Sequence, residues 1–147
     1  MVDERTYLRI REGTFTYLLA VEPSTAVEPR DAGALEPAGD DSAPVVAWHR
    51  AADGRVPVVR LGQVLGTRVG PWGHAILLGG GPPIGVAAEH VDALPAGSAP
   101  DILPFNPAGC SLPDGSPIIG VCRGTEPERL VLDPPRLLRN LRRTLAS

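Results

Sequence analysis

Two halves of this sequence lie over one another without gaps inside each block, and that repetition leaves few architectures open. At an offset of 67, Gly13 falls on Gly80, Tyr17 on Ile84, Leu19 on Val86, Ala20 on Ala87, Glu22 on Glu89, Ala26 on Ala93 and Val27 on Leu94. At an offset of 73, Val45-Val46 falls on Ile118-Ile119, Arg50 on Arg123, Val58-Val59 on Val131-Leu132 and Val64-Leu65 on Leu137-Leu138. Identities are few, but apolar, turn and polar classes agree. The repeat predicts two pseudo-equivalent lobes, each a hairpin, a connection, a second hairpin and a short terminal helix. Short strands in that order close most readily into small barrels, which leave no exposed edges.

Local patterns fill in the repeat. Thr6 to Arg11 partly alternates, and Thr14 to Val21 reads as the second strand of a hairpin turning at Glu12-Gly13. Residues 29–44 are acidic, rich in Pro, Gly and Ala and without a period, which predicts an exposed loop. Val45 to Trp48 and Val56 to Val59 flank Asp53-Gly54, a hairpin turn signal, and Leu61 to Leu65 follow as one helical turn. Ala75 to Leu78 and Ile84 to Ala88 flank a turn at Gly79 to Pro83. Residues 95–117, with six prolines, read as an irregular connection. Ile118 to Cys122 and Leu130 to Leu132 form the last hairpin around 124–128. Pro134-Pro135 opens a closing helix with Leu at helical spacing and Arg between.

Composition narrows the function classes. A chain of 147 residues with 43% hydrophobic but only 4% aromatic residues builds its core from Val, Leu, Ile and Ala. Seventeen glycines and seventeen prolines, spread between the apolar runs, predict many short elements. The net charge is −3, and all fourteen basic residues are arginine, a balance that lacks the footprint of a nucleic-acid binder. No apolar run approaches membrane-spanning length, and Met1 to Arg5 lacks a signal-peptide layout. Cys110 and Cys122 are too few for a disulfide framework. These features predict a cytoplasmic protein.

The ordered set Val45-Val46-Ala47-Trp48-His49-Arg50, then Arg55 to Gly66 (RVPVVRLGQVLG), then Ile84 to Leu94 (IGVAAEHVDAL), then Gly120-Val121-Cys122 to Leu138, resembles the CheW-like domain, the adaptor of bacterial chemosensory arrays. The resemblance covers nearly the whole chain. It implies an all-β domain spanning 1–147, made of two small five-stranded SH3-like β-barrel lobes, about 5–66 and 72–139, with the terminal strands free to exchange between lobes and a short C-terminal helix. It also implies a non-catalytic scaffold, without cofactor, recruited to receptor arrays. Its partners would be the cytoplasmic tip of a methyl-accepting chemotaxis receptor, the regulatory domain of a CheA-type histidine kinase and other CheW-like domains. The family's receptor site carries over to Arg50, with Val21, Val46 and Ala75 as groove walls and Trp48 as a candidate anchor; no kinase-binding residue carries over. The logic is helix-in-groove recognition with an arginine fixing register. Trp48-His49 stands where the family has Asn-Leu, and Arg60 where it has Asp. Those departures leave two alternatives: a divergent CheW-like protein that binds one partner and modulates array assembly, and a small-ligand-binding β-barrel.

The other chemistry-bearing residues have milder readings. Arg123 reads as a structural hairpin arginine, and Trp72 as packing at the lobe junction. His49, His74, His90, Cys110 and Cys122 show no metal-ligand spacing. Gly79-Gly80-Gly81 lacks the Lys-Ser/Thr of a phosphate loop, and no catalytic triad has motif context. Arg136, Arg139, Arg142 and Arg143 complement the dipole of the closing helix.

Overall fold

The computed structural model describes residues 6–39, 44–52, 54–67, 71–79, 82–94, 101–104, 116–122 and 129–146. Cys110, Arg123, Gly80-Gly81 and the 124–128 turn lie outside the described residues. The first half of the chain forms β1 (Thr6–Glu12), β2 (Phe15–Val21), β3 (Ala26–Pro29), β4 (Leu35–Pro37), β5 (Val45–Ala51), β6 (Gly54–Arg60) and helix α1 (Leu61–Leu65). The second half repeats that order as β7 (His74–Leu78), β8 (Ile84–Ala88), β9 (His90–Ala93), β10 (Ile102–Pro104), β11 (Ile118–Cys122), β12 (Arg129–Leu132) and helix α2 (Pro134–Ala146).

The strands make two curled six-stranded sheets, ordered β10-β11-β12-β2-β1-β9 and β4-β5-β6-β8-β7-β3. Exchanging each element for its counterpart in the other half converts one order into the other. The molecule is therefore a pseudo-two-fold duplication in which each half contributes strands to both sheets. The register repeats as well. Val58 stands opposite Gly85 in the parallel β6–β8 pair, where Val131 stands opposite Leu18 in the parallel β12–β2 pair. A bulge between Val45 and Ala47 recurs between Ile118 and Gly120. The β1–β7 and β3–β9 correspondences differ from the expected offset by one residue. Leu8 opposes Leu19 where Ile76 opposes Val86, and Val27 opposes Ile76 where Ala93 opposes Leu8. Unequal turn lengths absorb the difference.

Burial follows from this exchange. β2 and β8 lie in the middle of their sheets, so both faces are covered, which is why their sequences read as continuous apolar runs. Tyr17, Leu19, Ile84 and Val86 point into a core shared by the two sheets and closed by Leu61, Leu137 and Leu141 of the helices. Leu18, with Val131 and Cys122, fills the concave side of the first sheet. Leu35, Ala47, Val58, Trp72, Ala75 and Ala87 fill that of the second. Gly13 (φ +59°) turns the β1–β2 hairpin and Gly66 (φ +70°) caps α1, both in the left-handed region that glycine enters without strain. Asp133 caps α2 by accepting the Arg136 N–H at 3.1 Å, with Pro134 at the first helical position.

Three expectations are corrected. The stretch 29–44 contains the last residue of β3 and all of β4, which pairs with β5 and buries Leu35. The connection 95–117 contains β10, paired with β11. Three-residue strands ending in proline carry no period, so neither showed in the sequence, and they bring each sheet to six strands. Trp72 packs inside the second sheet's concavity, not between lobes, beneath the Arg30 guanidinium at 4.8 Å from the ring centroid.

At the β8–β9 corner the buried Glu12 carboxylate accepts the Glu89 N–H at 2.6 Å, and the Glu89 carboxylate accepts the Gly13 N–H at 3.0 Å. Burial pushes the Glu12 carboxyl above the ordinary 4.5, opposed by the Glu89 N–H and the Arg60 guanidinium, with the like charge of Glu89 adding to the rise. A carboxyl that holds its proton more tightly folded than unfolded withdraws stability as pH climbs from its unfolded value through its folded one. Glu12→Gln is thus expected to melt progressively higher relative to the wild type as pH rises above about 4.5. Parallel melting curves across that range would show that Glu12 is not titrating differently in the two states.

Candidate functional site

The five residues carried over by resemblance occupy three different environments. Val46 and Ala75 belong to the concave core of the second sheet, where Ala75 has no exposed surface, so it can support a wall only from behind. Val21, at the end of β2, lies at the seam between the sheets. Trp48 and Arg50 lie on the outer face of β5.

The bulge sets that outer face. By inserting Val46 opposite the β6 strand it lets both Val46 and Ala47 pack inward and resets the alternation so that Trp48 and Arg50 point out. Trp48 is half-buried, with Pro57 opposite it in register and the Arg55 guanidinium 4.6 Å from its ring centroid. Arg50 Nε lies 3.3 Å from Glu36 Oε1, and its Nη2 donates to the Gly33 carbonyl. With its side chain 59% exposed, this pair is screened by water and contributes little to stability. The result is an aromatic patch flanked by two arginines, the composition typical of an interface centre.

The second surface is a groove of about 600 Å³ at the seam, walled by Val21, Ala26, Leu77, Leu78, Pro134 and Leu138. It runs between the end of β2, the start of β3, the end of β7 and the start of α2. Its walls are mainly aliphatic, and Glu22, Ser24, Thr25 and Asp133 supply polar groups. Of the resemblance-derived residues, only Val21 lines it. Leu77, Leu78 and Leu138 were legible as apolar positions, but nothing in their spacing showed that three distant segments meet.

His74 and His90 come together edge to face at 5.2 Å, a pairing that their sequence positions hid. Among the described residues no cluster of three or more His, Cys, Asp and Glu could hold a metal ion, and no helix is long and apolar enough to cross a membrane.

No family model and no curated protein matches the chain. Fourteen chains of solved structures do match. One is the crystal structure of the scaffolding protein TtCheW from Thermoanaerobacter tengcongensis, 13% identical, with a TM-score of 0.62 over 89% of this chain and 90% of that one. At that identity the likeness is one of fold: the chain has a CheW-like fold over the part that matches.

Proposed function

We propose that this chain is a non-catalytic adaptor of a chemosensory assembly, joining the cytoplasmic tips of methyl-accepting chemotaxis receptors to the regulatory domain of a CheA-type histidine kinase. The observation that carries this reading is the CheW-like fold over almost the full length, together with two separate surfaces suited to protein docking. An adaptor must hold two partners at once, and an aliphatic groove at the seam plus an aromatic, arginine-flanked patch on β5 provides two sites that do not share residues. The groove suits an amphipathic helix presenting apolar anchors at successive turns. Trp48 supplies the patch with a large, stiff contact area, and Arg50 offers a planar donor for a carboxylate or carbonyl.

The direct test is capture of the purified protein by two baits, the receptor's cytoplasmic hairpin and the kinase's regulatory domain. Retention on both supports coupling. Retention on one identifies an adaptor specialised for that partner, and retention on neither by folded protein overturns the reading. Arg50→Glu is expected to weaken binding to the receptor hairpin by about tenfold while leaving the melting temperature nearly unchanged, because Arg50 is exposed and its ion pair is screened. Unaltered affinity would remove Arg50 from the site, and a large fall in melting temperature would make it a structural tie to Gly33 and Glu36.

A further inference from the structure

Away from both docking surfaces, the first sheet carries a cationic cleft of about 460 Å³, lined by Arg9, Arg11, Thr16, His90, Asp92 and Arg129 among others. Four of these form one line. β9, β1, β2 and β12 are consecutive neighbours, and the pairing sets His90 opposite Arg11, Arg11 opposite Thr16 and Thr16 opposite Arg129. Directly paired residues project from the same face of a sheet, so the side chains stand in a cross-strand row. With strands about 4.8 Å apart, Arg11 and Arg129 rise roughly 10 Å from one another at Cα, on either side of the Thr16 hydroxyl. Two arginine side chains can close over that span onto one ligand.

The charges in the cleft do not cancel. Arg9 is bound by both its Nε and Nη2 to the Asp92 carboxylate, and this guanidinium holds the Asp92 carboxyl below its usual range. Asp92 is thereby bonded to Arg9, and its charge also acts, more weakly, on Arg11 and His90, so the one carboxylate in the cleft faces three arginines. Neither Arg11 nor Arg129 has a carboxylate within ion-pair distance among the described residues. Two positive charges facing each other across a hydroxyl are a poor arrangement for stability and a good one for an anion. They are also not a by-product of composition, since the chain as a whole carries a net charge of −3.

We propose that this cleft binds a phosphate dianion, gripped from two sides by Arg11 and Arg129 and hydrogen-bonded from below by the Thr16 hydroxyl. A phosphate or phosphomonoester carries about −1.5 to −2 charge at neutral pH, opposite in sign to the Arg11 and Arg129 guanidinium groups, and offers three strong acceptor oxygens to three donors. The cleft volume lies within the range of small-molecule sites, leaving room for the organic part of an ester beside Gly13 and Thr14.

The test is calorimetric titration of the full chain, in phosphate-free buffer of low ionic strength, with inorganic phosphate, O-phospho-L-serine and L-serine. Saturable binding of the phosphates but not of serine is expected. Arg11→Gln and Arg129→Gln are each expected to weaken it by about tenfold, while Arg139→Gln on the exposed face of α2 leaves it unchanged. Thr16→Val, which keeps the β-branched shape and removes the donor, should weaken it less. Melting temperatures of the four variants report folding separately. Tighter binding of O-phosphoserine than of inorganic phosphate identifies an ester as the ligand, and the reverse order identifies the free ion. Absence of saturation by either phosphate up to about 10 mM, or binding that survives in the folded Arg11→Gln/Arg129→Gln double variant, overturns the proposal.

Discussion

Truncating Leu137 or Leu141 to alanine is expected to lower the free energy of unfolding by about 2–5 kcal/mol for each site, and the double variant is expected to be unfolded or nearly so. Both side chains are fully buried and sit four residues apart on one face of α2, filling the core shared by the two sheets. Each truncation removes apolar contact and leaves a cavity that the β-scaffold on either side cannot collapse to fill. The pseudo-symmetric helix supplies an internal control. α1 ends at Gly66, so it has no counterpart of Leu141, and Val64, the counterpart of Leu137, is only partly buried. Val64→Ala should therefore cost about 1 kcal/mol. Urea denaturation with matched slopes reads these differences directly. If Leu141→Ala falls within about 0.5 kcal/mol of the wild type, α2 does not close the shared core.

That asymmetry between α1 and α2 bears on what the sequence could disclose. The blocks Val45–Leu65 and Ile118–Leu138 align at one offset because strand, bulge, strand and helix start all repeat in three dimensions, and a bulge inserted in both copies leaves the offset untouched. The Ala26 match, by contrast, drifts by one residue because turns between strands tolerate length changes that strands do not. The apolar runs in β2 and β8 marked them as hairpin strands, but not their parallel partners, since nothing in Leu18 or Gly85 encodes a pairing with Val131 or Val58. β4 and β10 were hidden by brevity and proline. The docking surfaces were only partly legible. Arg50 and Trp48 could be singled out on one strand, whereas Arg129 becomes a neighbour of Thr16, and through it of Arg11, only by the parallel pairing of β12 with β2 across the two halves. Local pattern therefore specified the longer elements and their order, while the pairing that builds the seam groove and the arginine cleft depended on long-range contacts that no window contains.

Glycine content shows the same division, and it supports a second large effect. Gly73→Ala is expected to cost about 1–3 kcal/mol, whereas Gly79→Ala, six residues along in the same half, should change stability by less than about 0.5 kcal/mol. A Cβ at Gly79 meets nothing within 4 Å, but one at Gly73 would lie 2.7 Å from the Glu89 carbonyl oxygen. That oxygen is backbone, so no rotamer change relieves the contact and the β8–β9 corner itself has to move. The corner is tied on several sides: Gly73 N–H donates to the Ala88 carbonyl at 2.9 Å, Arg30 N–H donates to the Gly73 carbonyl at 2.8 Å, and Glu89 N–H donates to the buried Glu12 carboxylate. Displacing Glu89 weakens the hydrogen bond that opposes the upward shift of Glu12, so the folded-state value rises further. Gly73→Ala should accordingly lose stability more steeply than the wild type as pH climbs above about 4.5, and Glu12→Gln in the same background should abolish that extra steepness. Equal urea midpoints for the two glycine variants would mean that the corner yields without cost. A Gly73→Ala penalty independent of pH would place the strain in the packing of Trp72 and Ala88 and leave the Glu12 hydrogen bond intact.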